Sequence, residues 1–343
     1  MSRALDSATK AAIQNGDHKE AFTEISKVLA QCLKTVLEIE LIGPEFMMML
    51  PSPDSYFLLD GNNLIIPKLR LVQAFIVARK LLFNHRKDKR SVCKEDVALA
   101  TMVVLLMDAE HLTAANTRKR HIIEGACDPD MIRKELSFVD TLLTSTLHRH
   151  TKSPTLWSHR NWLIAQYAKK PDEKGQGVGG ADEQNPPHDL LDYHFKRVIF
   201  VSGEQHPRNY YAWAHARQLL LPTGPSYRAS LLTATREWCL EHRGDISGWT
   251  FLASLPATPD ERKAVLAETM KVAKQFQYCN ESVWWFFKAV ASSSEERAEL
   301  ATLRTRLLPD ADELDRQHLA RIGRWLEEAD VAGGGPARET STA

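Results

Sequence analysis

The stretch Ser153-Pro154-Thr155-Leu156-Trp157-Ser158-His159-Arg160-Asn161-Trp162-Leu163 decides how this chain is read. Serine caps a helix and proline takes its first turn, where the missing N–H costs nothing. Leu156, Trp157, Trp162 and Leu163 then supply an apolar stripe at helical spacing, with His159 and Arg160 beside it. The cassette returns as His206-Pro207-Arg208-Asn209-Tyr210-Tyr211-Ala212-Trp213-Ala214-His215. Eroded copies read Asp245-Ile246-Ser247-Gly248-Trp249 and Asn280-Glu281-Ser282-Val283-Trp284. A further copy, His111-Leu112-Thr113-Ala114-Ala115-Asn116-Thr117-Arg118, has alanine at the anchor and keeps the arginine three residues on.

The anchors at 115, 157, 213, 249 and 284 are 42, 56, 36 and 35 residues apart. The long gap holds a Gly-rich, acidic insert over 171–189, which reads as a flexible loop. Without roughly 20 residues of it the spacing falls to the mid-thirties of a two-helix repeat. Such units bury their faces against their neighbours, so the expected fold is all-α, a crescent solenoid of antiparallel helix pairs with five repeats.

The expected order is an N-terminal helical leader (1–110), five repeats (111–292), capping helices (293–329) and a disordered tail (330–343). Asp128-Pro129, Ser153-Pro154 and Thr258-Pro259 are strong helix starts, and Asp189, Asn209, Asp245 and Asn280 are further cap candidates. In the leader, 11–37 reads as two helices broken at Gly16-Asp17, and 42–63 as a connection. Residues 64–84 read as an apolar helix, followed by one capped by Ser91 and running to Met107. No alternating run, Asn-Gly hairpin or βαβ unit is evident.

Lys and Arg number 44, as do Asp and Glu, so formal net charge is zero; this argues against generic binding to nucleic acid or membranes. Five scattered cysteines without CxxC spacing, a start unlike a signal peptide and no membrane-length apolar run point to a cytoplasmic protein with reduced thiols. No HExxH, Walker loop, GxGxxG after a strand or GxSxG nucleophile elbow is evident. His148 and His150, two apart, fall on different helix faces and make no metal pair. His194 and His206 have no partner at ligand spacing. The basic runs at 86–90 and 118–120 lack interleaved aromatics, and read as solvated helix ends or a protein contact. No metal or cofactor is expected in this chain.

The cassettes around Trp157 and Trp213 resemble the repeats of protein prenyltransferase α subunits. The leader segments 38–44 and 66–87, the apolar run 103–107 and the terminal helix with Trp325 resemble one subgroup: repeat-containing α subunits serving a third type of geranylgeranyltransferase. The resemblance implies a right-handed α–α superhelix partnered by a Rab geranylgeranyltransferase-type β subunit. That partner would hold zinc and the isoprenoid diphosphate, and the pair would geranylgeranylate a C-terminal cysteine of a protein substrate. In the family a Lys-Asn-Tyr triplet starts five residues before the anchor. Here those positions hold Lys152-Ser153-Pro154 and Arg208-Asn209-Tyr210, with Tyr211 following. The resemblance therefore makes Lys152, Arg208, Tyr210 and Tyr211 the catalytic candidates, aimed at the leaving diphosphate or the acceptor. Negative charge develops there as the carbon–oxygen bond breaks, and preorganised donors lower that barrier.

Arg118 and Arg160, at one place in the unit, call for carboxylates or carbonyls on a neighbouring helix or on a partner. Trp157 and Trp213 read as repeat core, and His159 and His215 as structural or interfacial. The fourth and fifth cassettes have lost His-Arg and read as an apolar stack. Their erosion keeps open a second reading, a non-enzymatic scaffold that binds proteins along its concave face.

Overall fold

The computed structural model describes residues 7–52, 54–169, 188–220 and 225–333. The insert expected over 171–189 falls largely outside them, as does the tail beyond Gly333. The helices are α1 Ser7–Asn15, α2 His18–Gln31, α3 Lys68–Lys87, α4 Lys94–Met107, α5 Leu112–Glu124, α6 Pro129–Leu143, α7 His148–Thr151, α8 Pro154–Tyr167, α9 His188–Asp192 and α10 Phe200–Gln205. They continue with α11 Tyr210–Leu220, α12 Pro225–Glu241, α13 Ile246–Ala253, α14 Pro259–Phe276, α15 Glu281–Val290, α16 Ser294–Leu307 and α17 Glu313–Gly333. A π-helical segment, Tyr193–Ile199, joins α9 to α10. Helix dominates, as the repeat predicts. The five anchors sit on α5, α8, α11, α13 and α15, each followed by a partner helix.

Capping chemistry explains most of these boundaries. The side chains of Asp128, Ser153 and Asp245 accept the backbone N–H groups that open α6, α8 and α13. Asn209 does the same for Ala212 at 3.3 Å, and Thr258 forms a reciprocal capping box with Glu261. Asn280 precedes α15 without a side-chain cap bond. Cys93, rather than Ser91, accepts the N–H of Asp96 and starts α4. The side chain of Asp189 lies outside the described residues.

Strand structure in the leader corrects the purely helical expectation. β1 (Glu38–Ile42), β2 (Leu58–Asp60) and β3 (Asn63–Pro67) form a sheet in the order β1-β3-β2. β1 runs parallel to β3, and β2 pairs with it as a hairpin. Asp60 pairs with Asn63 across a two-residue turn in which Gly61 has φ +58°, a conformation glycine adopts without strain. The apolar helix expected from Leu64 therefore begins at Lys68. Leu64 and Ile66 instead send their side chains into the core, fully buried.

The chain divides into two compact units, 1–183 with 189–216 and 184–188 with 217–343. In the first, α6 packs on α8, while α3 packs on both α2 and α4. In the second, α13 packs on α15 and α12, and Trp249, Phe251, Leu252, Trp284, Phe286 and Phe287 are all buried. No helix among the described residues is long and apolar enough to cross a membrane.

Candidate functional site

Each intact cassette divides its residues between core and surface. Trp157 and Trp213 are buried, and the Trp157 indole N–H donates to the carbonyl of Thr151, 2.9 Å away. The bond to the sixth preceding residue recurs at Trp249 with Arg243 O (3.0 Å) and at Trp284 with Tyr278 O (3.1 Å). The anchor thus clamps the turn before its own helix while filling the core, so tryptophan suits this place better than another large apolar residue.

The recurring arginines point inward to carboxylates on α6. Arg118 donates to both oxygens of Glu135, at 2.7 and 2.5 Å. It also reaches Ala98 O and Thr101 Oγ1, each at 2.9 Å, and lies over the Phe138 ring. His159 Nε2 lies 3.2 Å from Glu135 Oε1. Five residues along α6, Asp140 receives Arg160 Nε at 2.6 Å and the Tyr193 hydroxyl at 3.0 Å. The remaining Arg160 nitrogens donate to His215 Nε2 (2.6 Å) and His194 Nδ1 (2.8 Å).

The arginine guanidinium only donates, so both imidazoles face it with an unprotonated, accepting nitrogen. Burial, helped by the Arg160 charge, drives the His194 pKa down to about 2 and lowers that of His215 as well. Burial and the Asp140 charge raise that of Tyr193. For Glu135, burial opposes ionisation, but Arg118 and His159 together overcome it and hold the carboxyl well below the usual range. Arg118, His159, Arg160 and His215 are thus all buried against partners within this chain. His194 has a hydrogen-bond role that metal-ligand spacing does not test. It is a direct neighbour of Arg160, as are the equally overlooked Asp140 and Tyr193.

The four catalytic candidates lie outside this buried network. Lys152, Arg208 and Tyr210 are exposed, and Tyr211 is half-buried. Asn209 joins their two cassettes, its amide donating to Thr151 O at 2.7 Å, one residue before Lys152. Beside this seam His148 and His206 meet edge to face at 4.9 Å, and Tyr210 and Tyr211 at 5.6 Å. His206 thus has a ring partner that its spacing did not reveal. Arg208 has φ +61°, outside the usual range for a side-chain-bearing residue. No group of three or more His, Cys, Asp or Glu among the described residues is arranged to hold a metal. A cavity of about 1570 Å3 forms an open groove between β1, α6 and the π segment. None of the four candidates lines it.

Stacked helix pairs with indole clamps, buried arginine–carboxylate pairs and an exposed cation–phenol seam define a helical-repeat protein that resembles the prenyltransferase α-subunit repeat family. Whole-sequence comparison leads to the same place. The chain is 29% identical over 181 residues to the zebrafish (Danio rerio) protein prenyltransferase alpha subunit repeat-containing protein 1, covering 51% of this chain and 41% of that protein. The human protein of the same name is 28% identical over 184 residues, covering 51% and 43%. Protein ECM9 of Saccharomyces cerevisiae is 26% identical over 208 residues, covering 59% and 50%. The family model described as the ECM9 middle domain matches residues 156–277. The chain spans half or less of the length of these relatives.

Proposed function

We propose that this chain is the α-type subunit of a cytoplasmic heterodimeric protein prenyltransferase, acting with a Rab geranylgeranyltransferase-type β subunit. The reaction transfers geranylgeranyl from its diphosphate to a cysteine near the C-terminus of a protein. Zinc held by the β subunit would supply the thiolate. The new bond joins cysteine sulfur to C1 of the isoprenoid. The C1–oxygen bond breaks, and inorganic diphosphate leaves with the electron pair.

What this chain adds is positive charge and a phenol where that electron pair goes. The observation that carries the reading is the Asn209–Thr151 hydrogen bond of 2.7 Å. It ties together the two cassette starts that carry Lys152, Arg208 and Tyr210, while Trp157, His159, Arg160, Trp213 and His215 turn inward. Lys152 as an ammonium, Arg208 as a fork and Tyr210 as an O–H donor suit a departing diphosphate.

The test is co-expression with a Rab-type β subunit and measurement of geranylgeranyl transfer to a cysteine-ended protein. A stable heterodimer with activity is expected, and Lys152→Ala should lower turnover by ~10-fold or more with assembly unchanged. Full turnover in Lys152→Ala removes the leaving-group role. The eroded fourth and fifth cassettes, with Trp249 and Trp284 sealed in an apolar stack, favour a second reading as a protein-binding scaffold. A chain that binds other proteins but forms no β complex and supports no transfer establishes that reading instead.

A further inference from the structure

The two basic runs meet around one cavity, with Arg86, Lys89 and Arg120 still exposed to solvent. Arg86 and Lys89 at the end of α3, Lys94 at the start of α4, and Arg118 and Arg120 on α5 line one cavity of about 300 Å3. Against these five cations stand Glu124 and Glu135, so the lining carries a formal charge of +3 with its histidines neutral. Two of the cations are already matched, Arg118 by Glu135 at 2.5 Å and Lys94 by Glu124 at 2.8 Å. Arg86 and Lys89 form no ion pair among the described residues. Arg120 leans on Asn116 O at 3.2 Å and Thr117 Oγ1 at 3.3 Å, neither of them charged. His85 Nδ1, in the same wall, is buried without a hydrogen-bond partner.

Gathering like charges around a concavity raises the local positive potential; Glu124, which also acts on Lys89, offsets part of it, and a bound anion would offset the rest. The cavity is at the small end of ligand-site volumes, and no Phe, Tyr or Trp lines it. Guanidinium forks beside ammonium groups match phosphate oxygens in geometry and charge.

We propose that this cavity binds a small solute carrying two or more phosphate charges. It is separate from the Lys152 seam and independent of the prenyl-transfer reading. Calorimetric titration of the whole chain with inorganic pyrophosphate at low ionic strength tests it. Saturable one-to-one binding is expected, weakening as salt is added and weaker for orthophosphate. The double variant Arg86→Ala/Lys89→Ala changes exposed side chains and should bind at least tenfold more weakly, with an unchanged melting temperature in the absence of ligand. Lys196→Ala, which removes an exposed cation on the π segment away from the cavity, should bind like the parent chain.

The absence of saturable binding overturns the proposal, as does equal affinity in the double variant. Loss of binding in Lys152→Ala with retention in the double variant assigns the anion to the cassette seam and also overturns it. Tighter binding of an oligoglutamate peptide than of pyrophosphate makes the cavity a protein contact, again against the proposal.

Discussion

Arg160 has no solvent exposure, nor has its partner Asp140, and a buried ion pair is sustained only by complete hydrogen bonding. Asp140 takes Arg160 and Tyr193, while Arg160 also serves His194 and His215. Removing the cation leaves a buried carboxylate supported by one phenol. Arg160→Ala should therefore lower unfolding free energy by about 3–5 kcal/mol, read as a shifted urea midpoint. Arg160→Lys should not restore it, because an ammonium cannot span the carboxylate and both imidazoles. Replacing the pair together, Arg160→Met with Asp140→Leu, should cost less than Arg160→Ala. A single variant with an unshifted midpoint would contradict the network's structural role. The arginine was legible in the sequence because it recurs with the anchor. Its partners were not, because they lie 20, 34 and 55 residues away and local spacing carries no sign of them. Acids on an amphipathic helix also look like ordinary surface.

At the level of elements, the π segment and the small sheet are where helical periodicity misled. In an α-helix, successive side chains diverge by roughly 100°. Yet Tyr193 and His194 converge on one buried ion pair. The wider π turn carries one residue more than an α turn, and such bulges gather at constrained sites. Deleting exposed Lys196 returns the segment to α register and should swing one of the two away. Its expected cost resembles that of Arg160→Ala, whereas Lys196→Ala loses only an exposed pair with Asp192 and should be nearly silent. A deletion variant as stable as the parent would show that the π geometry is dispensable. β1 and β3 escaped notice because five residues are too few to separate period two from an apolar helix edge. Gly61-Asn62 was the available signal, a two-residue turn with glycine at its first position. Caps, by contrast, were legible at most helix starts because their chemistry is local.

Across the whole molecule, different chemistry holds each unit. The first buries His150, His194 and His215, all with lowered pKa values because burial disfavours the imidazolium. The stack of Trp249, Phe251, Leu252, Trp284, Phe286 and Phe287 contains no histidine, though His318 elsewhere in the second unit shifts the same way. A histidine held neutral when folded, but free to protonate near its ordinary pKa of 6.5 when unfolded, makes the unfolded state bind more protons below that pH. Stability then falls as pH falls, by up to about 1.4 kcal/mol per pH unit for each such group. Glu135, depressed in the folded state, adds a further loss once pH drops toward the usual carboxylate range. Moving from pH 7.5 to 5.5 should therefore weaken the first unit before the second. Hydrogen exchange, corrected for intrinsic rates, should show protection in α6 and α8 falling at least ~10-fold more than in α13 and α15, since ~1.4 kcal/mol is a factor of ten. His194→Phe, which removes one of these protonation sites, should flatten the pH dependence of α8 while lowering its protection at pH 7.5. Equal loss in both units, or an unaltered slope in His194→Phe, would mean that the buried histidines do not govern how this chain responds to acid.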